Sequence, residues 1–146
     1  MKNSIILILL VLMAPSSLCA GILHPNGSPL RRDELQKLWD EIDKVNSTLP
    51  VMMSKEIQLI RLLIRDEKEL VYKIKTIIYT KSQIDPSLFV KNIKPASVNG
   101  LCSAPDSFSM IKKGMIYTYS IYDKDDFYIG EYSITSKDCS QKQSGN

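Results

Sequence analysis

The sequence predicts an α+β domain: an antiparallel sheet of four or more strands, made of two β-hairpins, with an N-terminal helix and a middle helical segment packed on one face and one disulfide. Three observations lead there. Apolar residues recur at three- and four-residue spacing over residues 28–50. Two pairs of Ile-, Val- and Tyr-rich runs are each joined by a charged turn. Cys102 and Cys139 are the only thiols left once an apolar leader is set aside.

The leader comes first in the chain. Met1–Lys2–Asn3 carries a positive charge, Ser4–Met13 is nearly unbroken Ile, Leu and Val, and small residues follow through Cys19 and Ala20. A charged start, an apolar run of about ten residues and a small-residue exit describe a secretory signal peptide over residues 1–20, too short to span a bilayer. Its exit has two readings. Cleavage after Cys19 or Ala20 gives a free chain, whereas lipoprotein processing would acylate Cys19 and tether the protein to a membrane. Lipoprotein processing favours a small residue before the cysteine, and Leu18 stands there. Export exposes Cys102 and Cys139 to an oxidising compartment, where a disulfide is the default and closes a long loop.

Residues 21–27 read as a flexible N-terminal segment, residues 28–139 as a single domain and residues 140–146 as a disordered polar tail. Lys and Arg exceed Asp and Glu by three, and by two without Lys2. The charges are scattered, which excludes a nucleic-acid arm.

Within the domain, Ser28–Pro29 has the form of a helix start, a capping hydroxyl before a first-turn proline. Leu35, Leu38, Ile42, Val45 and Leu49 then form an apolar stripe widened by Trp39, with Arg31, Arg32, Glu34, Lys37, Glu41 and Lys44 on the other side. The helix ends near Ser47–Pro50. Asn46–Ser47–Thr48 fits a glycosylation sequon, and its place at a helix end explains the residues as capping chemistry. Ile57–Arg65 and Leu70–Thr80 form the first hairpin around Asp66–Glu67–Lys68. Its first strand carries apolar residues at odd and even positions, which predicts a central strand or one covered on both faces. Asp85–Pro86–Ser87 starts the next helix; Pro95 kinks or restarts it. Ser103 or Asp106 caps a further short helix that Gly114 closes in a left-handed conformation. Met115–Tyr122 and Phe127–Thr135 make the second hairpin around Asp123–Asp126.

Catalytic sets are missing. His24 is the only histidine and stands just behind the leader. No nucleophile elbow, phosphate loop or dinucleotide fingerprint occurs, and no carboxylate pair stands out for a hydrolase. Asp123, Asp125 and Asp126 suggest a calcium loop, but Tyr128 occupies the place of its glycine, so a solvated turn is expected. No metal and no cofactor is expected. Seven tyrosines remain, five of them in the last hairpin: Tyr117, Tyr119, Tyr122, Tyr128 and Tyr132. Alternation puts Tyr122 on the face opposite Tyr117 and Tyr119, so some of them reach the surface, where tyrosine suits protein binding. These five are the candidate binding residues.

Asn99–Gly100–Leu101–Cys102–Ser103–Ala104–Pro105, Gly114, Tyr117-x-Tyr119, Asp123, Ile129–Gly130 and Asp138–Cys139, together about the last 40 residues, resemble small exported proteobacterial proteins and the disulfide-bonded pilotins of type II secretion systems. Those pilotins are lipoproteins that bind a short C-terminal helix of the outer-membrane secretin. The resemblance implies a structural Cys102–Cys139 bridge and a partner groove between the sheet and a helix. The expectation is therefore a non-enzymatic exported binding or accessory protein, periplasmic or extracellular, that holds a protein or peptide. It meets a membrane only if Cys19 is lipidated. The alternative is a secreted, virulence-associated factor, a type II secretion substrate acting outside the cell.

Overall fold

In the computed structural model residues 30–143 are described. The leader with Cys19, the segment 21–27 with His24, the Ser28–Pro29 start and residues 144–146 lie outside them.

The first helix, α1 (Arg32–Asn46), begins three residues later than expected. Arg31 keeps an extended backbone, and its N–H donates to Glu34 Oε2 at 2.7 Å, so a first-turn carboxylate does the capping. Leu38 and Ile42 are buried as the stripe requires. Two side chains change sides. Glu34, expected outside, is 4% exposed, and Trp39, expected to widen the stripe, is 36% exposed. Positions 34, 38, 42 and 45 follow one another up a single helix face, whereas residue 39 is turned about 100° from Leu38. Glu34 is tolerated there because Lys113 Nζ, itself shielded from water, lies 3.5 Å from its Oε1. At the other end Asn46 does more than cap. Its carboxamide donates to the Leu62 carbonyl and accepts from the Leu62 N–H, both at 2.8 Å, and so ties the helix to the sheet.

The sheet has five strands in chain order, β1 (Val51–Met52), β2 (Ile57–Arg65), β3 (Glu69–Thr76), β4 (Ile116–Tyr122) and β5 (Tyr128–Ile134). Both expected hairpins form, β2 with β3 and β4 with β5. Asp66 and Glu67 in the first turn both take left-handed backbone angles, which match strand twist. The sheet is nevertheless mixed, because β3 and β4 pair in parallel. The physical reason is the connection. Two helices and their linkers separate these strands, and a crossover of that length returns the chain in the same direction. β3 stops at Thr76 rather than Thr80.

β2 is not central; only the two-residue β1 lies outside it. Its apolar residues at both parities come from a β-bulge between Leu59 and Arg61. The extra residue, Ile60, resets the alternation, so Ile57 and Leu59 before it and Leu62 and Ile64 after it all face inward.

Between β3 and β4, α2 (Pro86–Ser103) starts where expected. The Asp85 carboxylate accepts from the N–H groups of Ser87 and Leu88 at 3.0 and 3.1 Å. It runs as one helix through Pro95 instead of restarting there. α3 (Pro105–Lys112) is entered from Ala104, not capped by Ser103 or Asp106, and Pro105 supplies the first-turn geometry. Gly114 ends it at φ +96°, a left-handed angle that L-residues avoid. A last helix, α4 (Ser136–Gln143), occupies part of the segment expected to be a disordered tail. Thr135 N–H and Oγ1 both donate to Asp138 Oδ2, at 2.9 and 3.0 Å, so a first-turn carboxylate caps this helix too.

The helices cover one face of the sheet. Leu70, Tyr72 and Ile74 of β3, Tyr117, Tyr119 and Ile121 of β4, and Tyr132 and Ile134 of β5 meet Ile93 and Leu101 of α2 and Met110 and Ile111 of α3 in one core. Cys102 and Cys139 are bonded, with 5.4 Å between their Cα atoms. The bridge joins the last turn of α2 to α4, just past the strand it was expected to pin.

Two stability outcomes follow from these ties. Replacing both cysteines by serine opens a loop with a sequence separation of 37 and costs about 4 kcal/mol of unfolding free energy, read from urea unfolding of the oxidised protein and the variant. Asn46→Ala leaves the Leu62 N–H and carbonyl unmatched and costs about 2 kcal/mol by the same measurement. An unchanged midpoint in the Asn46 variant would show that water replaces the carboxamide at no cost.

Candidate functional site

The five candidate tyrosines divide between the two faces of the sheet. Tyr117, Tyr119 and Tyr132 are 1%, 2% and 5% exposed, under the helices. With Tyr72 they form a stacked series: ring centroids lie 6.3 Å apart for Tyr72–Tyr117, 5.2 Å for Tyr72–Tyr119 and 5.1 Å for Tyr119–Tyr132. The Tyr132 hydroxyl shares a 2.8 Å hydrogen bond with Ser97 Oγ of α2. Burial first, and the neighbouring Tyr72 and Tyr132 second, push the Tyr119 hydroxyl well above its ordinary titration range; burial does the same to Tyr132. These three rings are core and present nothing to a partner. The register explains it, since Tyr132 stands opposite Tyr119 and shares its inward direction. Tyr122 and Tyr128 lie on the open face in edge-to-face contact at 5.9 Å, and Tyr128 is 48% exposed.

The Asp123 turn also differs from expectation. Asp123 is buried, not solvated. Its Oδ1 accepts from the N–H groups of Asp125 and Phe127, both at 2.8 Å, and its Oδ2 from the Lys81 N–H at 2.7 Å. Burial raises its pKa, but these three donors outweigh it and hold the carboxyl below the usual range. Its two oxygens are spent on the backbone, clamping the Lys81–Gln83 turn to the hairpin. Among the described residues no group of three or more His, Cys, Asp or Glu is placed to hold a metal ion.

A concave surface runs along the outer side of α2. Val90, Pro95 and Val98 give it an apolar floor; Lys91, Lys94 and Asn99 stand on the helix, and Asp138 of α4 closes one side, enclosing 540 Å³. Pro95 has no N–H for the Lys91 carbonyl one turn earlier, so that acceptor has lost its helical donor within the groove. The Lys94 ammonium lies 3.0 Å from Asp138 Oδ1. Burial raises the Asp138 pKa, but the Thr135 N–H and hydroxyl and the Lys94 ammonium outweigh it and depress it. A smaller hollow of 210 Å³, with Tyr79, Ile84, Leu88 and Phe89, flanks the N-terminal half of the same helix. The Cys102–Cys139 bridge fixes α4 against α2 and thereby the width of the larger groove.

The same fold occurs elsewhere. This chain shares its fold with type II secretion pilotins. The pilotin EpsS of Vibrio vulnificus superposes with a TM-score of 0.53 at 14% identity, covering 68% of this chain and 86% of that one. The pilotin AspS of Vibrio cholerae gives 0.52 at 14% identity, covering 74% and 94%. A Pseudomonas aeruginosa protein described as secreted gives 0.58 at 16% identity, covering 73% and 94%. No family model matches the chain, and no curated protein matches it in sequence. At these identities the likeness concerns the pilotin-type fold. No helix among the described residues is long and apolar enough to cross a membrane.

The groove residues were not foreseen, although the sequence holds a signal for them. Leu88 and Val98 lie off the inward stripe of Phe89, Val90, Ile93 and Leu101, and a helix apolar on more than one side has a second surface to cover.

The depressed carboxyls set the acid response. A group whose folded pKa lies below its unfolded value contributes stability that is complete above the unfolded pKa, about 4 for Asp, and is lost as pH falls through the folded value. The melting temperature is therefore expected to fall steeply below about pH 4. Asp138→Asn is expected to flatten that acid limb while lowering stability at neutral pH, as followed by circular dichroism across pH. An acid limb unaltered by the substitution would remove Asp138 from the account.

Proposed function

We propose that this protein is an exported accessory protein of a bacterial envelope which, without catalysing a reaction, holds a segment of another protein in the groove between α2 and α4. The observation that carries this reading is the groove itself, apolar along Val90, Pro95 and Val98, rimmed by two lysines and braced by a disulfide. Such a surface fits an amphipathic helix that lays its apolar stripe on the floor and turns acidic residues toward Lys91 and Lys94. The pilotin fold supports a protein partner, and the resemblance in the Cys102–Cys139 region points to the C-terminal helix of a secretin as that segment. The likeness to a secreted protein supports a second reading, release from the cell. Mass spectrometry of the mature N-terminus in each cell fraction separates an acylated Cys19, a periplasmic chain and a released one.

Binding is tested by fluorescence anisotropy with a labelled peptide spanning the C-terminal helix of the secretin from the same cell. Val98→Asp, which puts a charge on the groove floor, is expected to weaken binding by about a hundredfold in a variant that still unfolds cooperatively at a lowered melting temperature, and Lys91→Glu with Lys94→Glu by about tenfold. A peptide that fails to bind the oxidised protein, or that binds the Val98 variant equally well, overturns the assignment.

A further inference from the structure

We infer, on the reading that a partner helix occupies the groove between α2 and α4, that this helix carries a neutral hydrogen-bond donor in its apolar stripe and that the backbone carbonyl of Lys91 selects for it. Proline creates the acceptor. A helical carbonyl points along the axis at the N–H four residues on. For Lys91 that residue is Pro95, which has no N–H and whose ring crowds the same carbonyl off the axis. α2 continues past Pro95 to Ser103, so the oxygen is held within a formed helix rather than at a frayed end. Among the described residues no side chain donates to it either.

The oxygen stands in the groove. Lys91, Pro95 and Val98, spaced by four and then three residues, share one helix face and all line the concave surface. The carbonyl lies between the first two and interrupts an otherwise apolar floor. In the free protein Lys91 and Pro95 are exposed, so water reaches the oxygen. A partner helix laid over Pro95 and Val98 strips that water away. Covering a backbone acceptor without returning a donor costs affinity, and a matched donor restores it. A polar group of this kind discriminates between occupants more sharply than a methylene of the floor does.

The chemistry of the donor follows from its surroundings. The partner's own backbone cannot supply it, because beyond its first turn a helix spends its N–H groups internally. A side chain must do so. Lys91 and Lys94 on the rim disfavour a cationic one, which leaves the hydroxyl of Ser or Thr or the carboxamide of Asn or Gln. Such a residue in the midst of an apolar stripe gives the groove a second selection beside the rim lysines.

The probe is the labelled peptide spanning the C-terminal helix of the secretin from the same cell, followed by fluorescence anisotropy. Each Ser, Thr, Asn or Gln of its apolar stripe is replaced in turn by an apolar residue of similar size. One replacement is expected to weaken binding to the wild-type protein about tenfold. Pro95→Ala gives the Lys91 carbonyl an N–H of its own. The parent peptide is expected to bind that variant about tenfold more weakly than wild type, whereas the donorless peptide binds it at least as tightly as wild type. The peptide series on the wild-type protein stands whether or not the variant folds. A stripe without such a residue, replacements that all leave wild-type affinity intact, or an equal loss for both peptides on Pro95→Ala, which marks a change of groove shape, overturns the inference while the groove remains the partner site. A parent peptide that does not bind the wild-type protein at all overturns the groove assignment and the donor with it.

Discussion

The sheet has one covered face, and the cover is held by the covalent link between Cys102 and Cys139. β5 is an edge strand, and an edge strand followed by a short terminal helix is the part of a small domain most prone to fray. Bonding α4 to the last turn of α2 converts that end into a fixed wall. Three consequences follow from the one link. The tyrosine layer of Tyr72, Tyr117, Tyr119 and Tyr132 stays sealed beneath α2. The groove between α2 and α4 keeps its width. The opposite face of the sheet is left open to carry polar and charged residues.

Much of this architecture was legible from local chemistry. Turn residues and β-branched runs located both hairpins, and Asp85–Pro86 located α2, because capping and strand alternation are decided within a few residues. The failures were of a different kind. That β3 and β4 run parallel depends on where a long crossover lands, which no local pattern encodes. The bulge at Ile60 made a one-sided strand look two-sided, since a single inserted residue inverts the parity of everything after it. Glu34 looked solvated until its partner Lys113, far along the chain, was placed beside it. α4 was the avoidable miss, because Thr135 and Asp138 have the spacing of a capping box.

The tyrosines illustrate how far residue type alone misleads about function. Alternation correctly separated Tyr122 from Tyr117 and Tyr119, but which face was core depended on the side the helices took. Three of the five candidate rings became packing material. The proposed partner contacts fall instead on valines, a proline and lysines of α2, residues with no functional signature of their own. A binding groove without catalytic chemistry needs only shape, apolar area and a few charges, so its residues resemble ordinary helix surface until the neighbouring helix is in place.

Asp138 is the residue where fold and groove meet. One oxygen caps α4 through Thr135, the other holds Lys94 across the groove, and the next residue is the bonded Cys139. A partner carboxylate arriving at Lys94 would compete with Asp138 for the ammonium but not for the capping donors, because those use the other oxygen. The helix therefore keeps its cap while the lysine changes partner. The exchange swaps one ion pair for another, with little net change in electrostatic energy, so affinity falls to the apolar floor and specificity to the lysines. A groove built this way selects an acidic amphipathic segment without drawing on the stability of the domain that displays it.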